Sequence, residues 1–273
     1  MNTLADYTFE PSKVTGSGLQ GSVVPAEHLP SGTKLVAKIT NIESKFNEKC
    51  YFEELEALKR LKNCKGAIKM VDFSVNYPFG IVLLEKMPFD LMTLIENDSL
   101  SLLQRKTIFK LVCAALKEIH EAGVVHLDIK PENILVSADY QQVKICDFGN
   151  AKIIDSSTMV SAASGTLLYA APELMTQKFF DGKLADIWSL GILYHVLITY
   201  HWPYANIDSS LIKENVINAN LQYSPGITAG DIKLMDNILK LKPEDRIDIS
   251  KLCKAAHTKK LSLFKKMRNL LLD

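Results

Sequence analysis

The chain has 273 residues, with 32 Lys plus Arg against 31 Asp plus Glu, a formal charge of +1. Apolar residues make up 47% and charged residues 23%, a globular balance that excludes a disordered tail, a collagenous repeat and a disulfide-dense mini-domain. A charge near zero argues against nucleic-acid binding through bulk electrostatics, no run approaches the ~18 apolar residues of a membrane-spanning helix, and no leader pattern opens the chain.

Residues Val14 to Val24 alternate around glycines and read as strand, and Leu35 to Ile39 is a second β-rich run. Pro25, Pro30, Ser31 and Gly32 supply turn chemistry between them. A helix is predicted from about Lys45 to Leu61, with Phe52, Leu55, Leu58 and Leu61 recurring every three residues on one face. Two strand-like runs follow, Ile68 to Val75 and Gly80 to Leu84. After Met87-Pro88 helical patterns dominate: Leu102 to Ala122, Lys183 to Thr199, Ile232 to Leu241 and Ile249 to Ala256. The composition therefore divides near residue 87 into a small β-rich part, residues 1–87, and a larger α-rich part, residues 88–273. No Gly/Ser linker separates them, so the cleft between the parts is the natural binding site.

Cys50, Cys64, Cys113, Cys146 and Cys253 are scattered with no Cys-x-x-Cys pair, which fits free thiols in a reducing, intracellular compartment. His195 and His201 have no carboxylate or cysteine at ligand spacing, so no zinc site is expected.

Four motifs carry chemistry. In Gly16-Ser17-Gly18-Leu19-Gln20-Gly21-Ser22-Val23, glycines let backbone amides approach phosphate oxygens. The dinucleotide-binding version needs a helix directly after the glycines. Here Val23-Val24-Pro25 continues as strand, which leaves a glycine-rich hairpin over a nucleotide or an ordinary flexible hairpin. In Val36-Ala37-Lys38 the lysine points its charge to one face of a strand; Glu53, Glu54 and Glu56 are candidate partners. His126-Leu127-Asp128-Ile129-Lys130-Pro131-Glu132-Asn133 gathers an acid, a base and a carboxamide on one short loop, a set that suits phosphoryl transfer. Val143 to Gly149 is a strand ending in Asp147, a carboxylate suited to Mg²⁺, followed by a glycine hinge.

In order and spacing these motifs resemble the protein-kinase signature set. Ala171-Pro172-Glu173, Asp186 to Gly191 and Arg246 extend the match, which runs from Gly16 to about Arg246, some 85% of the chain. The resemblance implies an α+β, two-lobed kinase fold, with a small β-rich N-lobe holding one main helix and a larger α-helical C-lobe. It implies ATP, Mg²⁺ and a protein substrate with a Ser/Thr acceptor. By the same resemblance Gly16, Gly18 and Gly21 cover the phosphates, and Lys38 contacts them while pairing with Glu54. Asp128 is the catalytic base, Lys130 lies beside the transferred phosphate, Thr166 touches both, and Asn133 and Asp147 bind the metal. Leu84 matches the gatekeeper, Glu85 and Met87 offer backbone to adenine, and Val23, Ala37 and Leu135 sandwich it. Leu58, Met70, His126 and Phe148 form a stacked column between the lobes. Asp186 braces the catalytic loop and Arg246 meets Glu173. Lys130 and the Gly165 to Glu173 segment resemble serine/threonine rather than tyrosine or small-molecule kinases. A pseudokinase scaffold and a small-molecule phosphotransferase remain the alternatives.

Two positions depart from the family pattern. Leu127 stands where an Arg usually binds a phosphorylated activation segment, and an apolar side chain makes no charge-assisted bond to phosphate. Activity without activation-segment phosphorylation is therefore expected, although Ser156, Ser157, Thr158, Ser161 and Ser164 remain modifiable and Lys152 offers a cation. Val196 stands where kinases that read basic substrates often carry Glu; Glu132 and Asp90 are the remaining acidic contacts. The Leu before the catalytic Asp has counterparts in Mos-type kinases, and the size is similar to the baculovirus protein kinase 1 group. The tail, 258–273, carries Lys259, Lys260, Lys265, Lys266 and Arg268 beside apolar residues at helical spacing; it is read as a last helix packed on the larger lobe, with membrane or partner binding as the alternative.

Overall fold

The structure, a computed structural model, describes residues 4–10, 14, 16–18, 21–155, 157–161, 165–204 and 211–257. The smaller lobe is a six-stranded antiparallel sheet of β1 (Tyr7–Phe9), β2 (Gly16–Gly18), β3 (Gly21–His28), β4 (Thr33–Asn41), β5 (Met70–Asn76) and β6 (Phe79–Glu85). Its order is β1-β3-β4-β6-β5, with β2 also pairing β3. Alternation gives the sheet two faces. Val24, Ala26, Leu35, Ala37 and Leu83 pack together on one of them. Lys38, opposite Val23 and Val82 in register, is on the other.

Helix α1 (Lys45–Arg60) packs beneath that second face. Ser44 caps it by accepting the Asn47 amide at 3.1 Å. Leu55, Leu58 and Leu61 are buried, but Phe52 is 42% exposed and Tyr51 takes its expected place in the core. A three-residue step turns a helix by 300°, so the three steps from Phe52 to Leu61 do not stay on one face.

The larger lobe opens with β7 (Phe89–Asp90) and α2 (Leu91–Glu96). Then comes α3 (Leu102–Glu121), started by a capping box between Ser101 and Gln104. Short strands carry the cleft segments: β8 (Val124–Val125), β9 (Ile134–Val136), β10 (Val143–Ile145), β11 (Lys152–Ile153) and β12 (Met159–Ser161). β10, β9 and β7 form one ladder and β11 pairs with β8. α4 (Glu173–Thr176) and β13 (Phe179–Asp181) follow, β13 pairing with β12.

Helix α5 (Gly182–Thr199) is apolar almost all round and lies at the centre of this lobe. α6 (Ile212–Ile217), α7 (Ala229–Ile238) and α8 (Ile249–His257) complete it. The predicted α3, α5 and α8 end within about a residue of their observed limits. α7 starts three residues before the predicted Ile232, because the Thr228 side chain accepts the Asp231 amide and sets the first turn there. The predicted tail helix lies outside the described residues.

Candidate functional site

Lys38 leaves β4 on the face above α1, where its ammonium meets both carboxylate oxygens of Glu54 at 2.8 Å and Asp147 Oδ1 at 2.7 Å. Glu54 is the partner among the three candidates; Glu53 binds Lys152 and Glu56 binds Lys59. Burial opposes the charge on Lys38, but the Glu54 and Asp147 carboxylates outweigh it and raise the lysine above its ordinary range. Burial also disfavours the Asp147 carboxylate, and Lys38 overcomes this and holds it below the usual range.

The Asp128 loop converges on the same cleft. The Thr166 amide donates to Asp128 Oδ1 at 2.8 Å, Lys130 Nζ lies 3.0 Å from Oδ2, and Lys130 also donates to Thr166 Oγ1 at 2.8 Å. Asn133 Nδ2 donates to the Asp128 carbonyl at 2.8 Å. That turns the carboxamide nitrogen inward and leaves its oxygen as the ligand atom. With the 43% exposed carboxylate of Asp147, Asn133 offers the oxygen donors a hard cation such as Mg²⁺ takes. His126 fixes the loop: its Nε2 lies 2.9 Å from the Cys146 carbonyl and its Nδ1 accepts the Asp128 amide at 3.2 Å. Asp147 itself has φ 61°, a left-handed turn that precedes the Phe148 side chain buried against α1.

At the adenine end, Leu84 is buried on the Lys38 face and Met87 and Leu135 are half-buried against the same core. The Glu85 amide donates to the Lys69 carbonyl, so that N–H is not on offer to a ligand. The Glu85 side chain binds Lys144 at 2.5 Å. Ala37 departs from its expected role. It is fully buried on the opposite face with Val24, Leu35 and Leu83, because it is one residue from Lys38 and a strand alternates with period two. Val36, two residues from Lys38, shares the cleft face with Leu84, its register partner. That period was legible in the sequence. Gly21 has φ 145°, and a Cβ there would lie 2.4 Å from the Ile39 carbonyl oxygen, so the turn demands glycine. Leu19 and Gln20, between the paired glycines, lie outside the described residues.

The rear of the site is braced from α5. Asp186 accepts the amides of His126 at 2.9 Å and Leu127 at 2.7 Å, and lies 2.8 Å from His120 Nε2. Arg246 donates to both oxygens of Glu173, at 2.5 and 2.8 Å, with neither side chain reached by solvent. Of the four column residues, Leu58, Met70 and Phe148 belong to one hydrophobic core, and the His126 ring lies 5.1 Å from that of Phe148.

Leu127 is buried with φ 63° and presents no cation. Lys152 instead binds Glu53 at 2.8 Å, and Arg60 binds Asp155 at 2.7 Å and donates to the Ala122 carbonyl at 2.7 Å. These contacts join α1 to the larger lobe with no phosphate involved. Val196 is a core residue of α5, and Asp90 spends its carboxylate on capping α2 through the Thr93 amide. Glu132 is the exposed acid near the loop. Ser156 and Ser164 lie outside the described residues.

The protein kinase domain model matches residues 9–258. Among curated relatives, the serine/threonine-protein kinase dkf-1 of Caenorhabditis briggsae is 30% identical over 97% of this chain and 36% of its own length. Human serine/threonine-protein kinase D2 is 32% identical over 90% of this chain and 29% of its own length. A probable serine/threonine-protein kinase of Dictyostelium discoideum is 28% identical over 88% and 29%. The chain thus spans about a third of the length of these relatives.

Proposed function

The chain belongs to the protein kinase domain family, and from that premise we propose that it is a serine/threonine protein kinase that transfers the γ-phosphoryl group of ATP to Ser or Thr hydroxyls of protein substrates. One observation carries the reading: Asp128, Lys130 and Thr166 converge within hydrogen-bond reach beside the Lys38–Glu54–Asp147 cluster. Phosphoryl transfer needs little covalent help and much positioning and charge. Asp128 accepts the proton of the attacking hydroxyl. Lys130, at 3.0 Å from that carboxylate, sets cationic charge where the transferred group passes. Lys38, kept protonated by its two carboxylates, holds the other phosphates under the Gly16, Gly18 and Gly21 hairpin. Asn133 and Asp147 would hold Mg²⁺, which neutralises phosphate charge when bound. Val23, Val36, Leu84 and Leu135 form the apolar seat of the base, with the Met87 backbone beside it.

The names of the relatives support a Ser/Thr acceptor, as does Lys130. Leu127 and the α1 ties through Arg60 and Lys152 support activity that does not require activation-segment phosphorylation. Among the described residues no helix is long and apolar enough to cross a membrane; the free thiols are what favours a reducing, intracellular compartment. A pseudokinase scaffold is disfavoured because the lysine, both acids of the cleft, the asparagine and the α1 glutamate are all in place. A peptide array incubated with labelled ATP and Mg²⁺ tests the reading. Transfer to Ser/Thr peptides that disappears in Asp128→Asn supports it; equal transfer by the variant, or transfer to small molecules alone, overturns it.

A further inference from the structure

Glu85 closes β6 at the hinge, and it exchanges two hydrogen bonds with Lys69. Its amide donates to the Lys69 carbonyl at 3.0 Å, and its Oε1 accepts the Lys69 amide at 2.7 Å. The same Oε1 takes the Lys144 ammonium at 2.5 Å. One carboxylate oxygen therefore joins the last residue of β6, the segment that enters β5 and the middle residue of β10. The pair is shielded, with side-chain exposures of 27% for Glu85 and 18% for Lys144. That separates it from a fully exposed surface pair, which water and salt screen to almost nothing.

Backbone bonds close the same ring independently. The Ile145 amide donates to the Gly66 carbonyl at 2.8 Å, and the Ile68 amide donates to the Ile145 carbonyl at 2.9 Å. Residues 66–69 are thus held to β10 at one end and to Glu85 at the other. A Cβ on Gly66 would lie 2.4 Å from Ala115 Cα, so the backbone of α3 also packs against this segment. Lys144 stands directly across from Leu135 in the β9–β10 register, and directly opposed residues share a face of a sheet. Its aliphatic stem therefore runs beside the leucine that floors the seat of the base, and its charge ends at the hinge. None of the catalytic roles above uses it.

We propose that Lys144 is a positioning residue for the nucleobase of ATP: by fixing the Glu85 carboxylate it holds the hinge strand, between Leu84 and Met87, in the conformation that receives the base. This rests on the kinase reading above. The ammonium itself makes no bond to the nucleotide. Without its charge, the Glu85 carboxylate keeps the Lys69 amide alone of these two partners, and the hinge strand samples more conformers. Binding must then select the competent one, and apparent affinity falls by its population. β10 stays in place through its ladder with β9 and through the Gly66 and Ile68 bonds. Asp147, just beyond β10, is therefore not displaced, and the phosphate end of the site does not feel the change.

Equilibrium binding of three probes to the whole chain tests this: Mg²⁺ with ATP, adenosine, which has the base and no phosphate, and Mg²⁺ with tripolyphosphate, which has phosphates and no base. In Lys144→Met the Kd for ATP should weaken about three- to tenfold, adenosine should weaken by the same factor, and tripolyphosphate should be unchanged. In turnover, KM for ATP should rise by that factor while kcat stays within about twofold. Glu85→Gln, which keeps an oxygen for the Lys69 amide, should show the same loss, and the double variant should lose no more than either single. Unchanged ATP affinity in Lys144→Met, a loss shared by tripolyphosphate, or additive losses in the double variant overturns the proposal. A parent chain that binds neither ATP nor adenosine overturns the kinase reading and this inference with it. A parent that binds both, with variants that match it, overturns this inference alone.

Discussion

The backbone amide of Leu127 donates to Asp186 Oδ1 at 2.7 Å, and Leu127 is held at φ 63°. A left-handed conformation costs a non-glycine residue about 1–2 kcal/mol. The buried carboxylate offsets this by taking two consecutive loop amides and an imidazole. Asp186→Asn replaces one acceptor oxygen with a donor that faces another donor. We expect a stability loss of about 2–4 kcal/mol in urea unfolding, with kcat falling more than KM rises, since Asp186 touches the loop and not the substrate.

The Arg246–Glu173 pair lies fully inside the larger lobe. Removing one partner strands a buried charge, so Arg246→Met or Glu173→Gln each costs about 3–5 kcal/mol. The double variant should lose much less than the sum of the two. Denaturant midpoints at constant m-value measure this, and strict additivity would show that the pair is uncoupled.

Lys38→Met leaves Glu54 buried beside Asp147 with no cation between them. Phosphoryl transfer should fall at least about 100-fold. Loss of the compensating charge should also lower the melting temperature, unlike Asp128→Asn, which keeps the α1 contacts intact. Normal turnover by Lys38→Met would contradict the role given to this cluster.

Replacing Ser157, Thr158 and Ser161 together by Ala should leave kcat within about threefold. Lys152→Met, which breaks the tie to Glu53 at 2.8 Å, should reduce kcat more than the triple variant does. A collapse of kcat in the triple variant would mean that phosphate, not the ion pairs, sets α1.

Asp231 accepts from Lys106 at 2.7 Å, Tyr194 at 2.7 Å and Thr228 at 2.6 Å. Burial pushes its pKa up, but these donors outweigh it and lower the group to about 2. The folded value lies below the unfolded one, so this contribution is complete above about pH 4 and is lost as pH falls toward 2. Asp231→Asn should flatten the stability profile across that window while costing roughly 2–3 kcal/mol at neutral pH.

Much of the site was readable because its parts are local. Asp128, Lys130 and Asn133 share one short loop, and Lys38 with Glu54 is fixed by a strand running into a helix. Ala37 and Val36 mark the boundary of that reading. Motif matching placed the alanine in the cleft, whereas strand parity, also written in the sequence, puts Val36 there. Phe52 went astray for a similar reason, a period of three standing in for 3.6. α2, α4 and α6, of four to six residues, are too short to show a period at all. The ties from Arg60 to Ala122 and Asp155 join residues some sixty to ninety-five positions apart. Only the folded chain brings these together. The capping role of Asp90 was likewise hidden, since an acid before a helix reads equally as a surface contact.

The burial of Phe148 against α1 bears on inhibition. Its ring contacts His126 while Arg60, Lys152 and Lys38 hold the helix above it. A compound that needs this ring displaced must recruit a rare conformer, and its apparent affinity falls by the fraction of chains in that form. Compounds that accept the ring in place meet no such penalty. The ties that make α1 independent of phosphate therefore also sort inhibitors by shape, before any contact with Leu84 is considered.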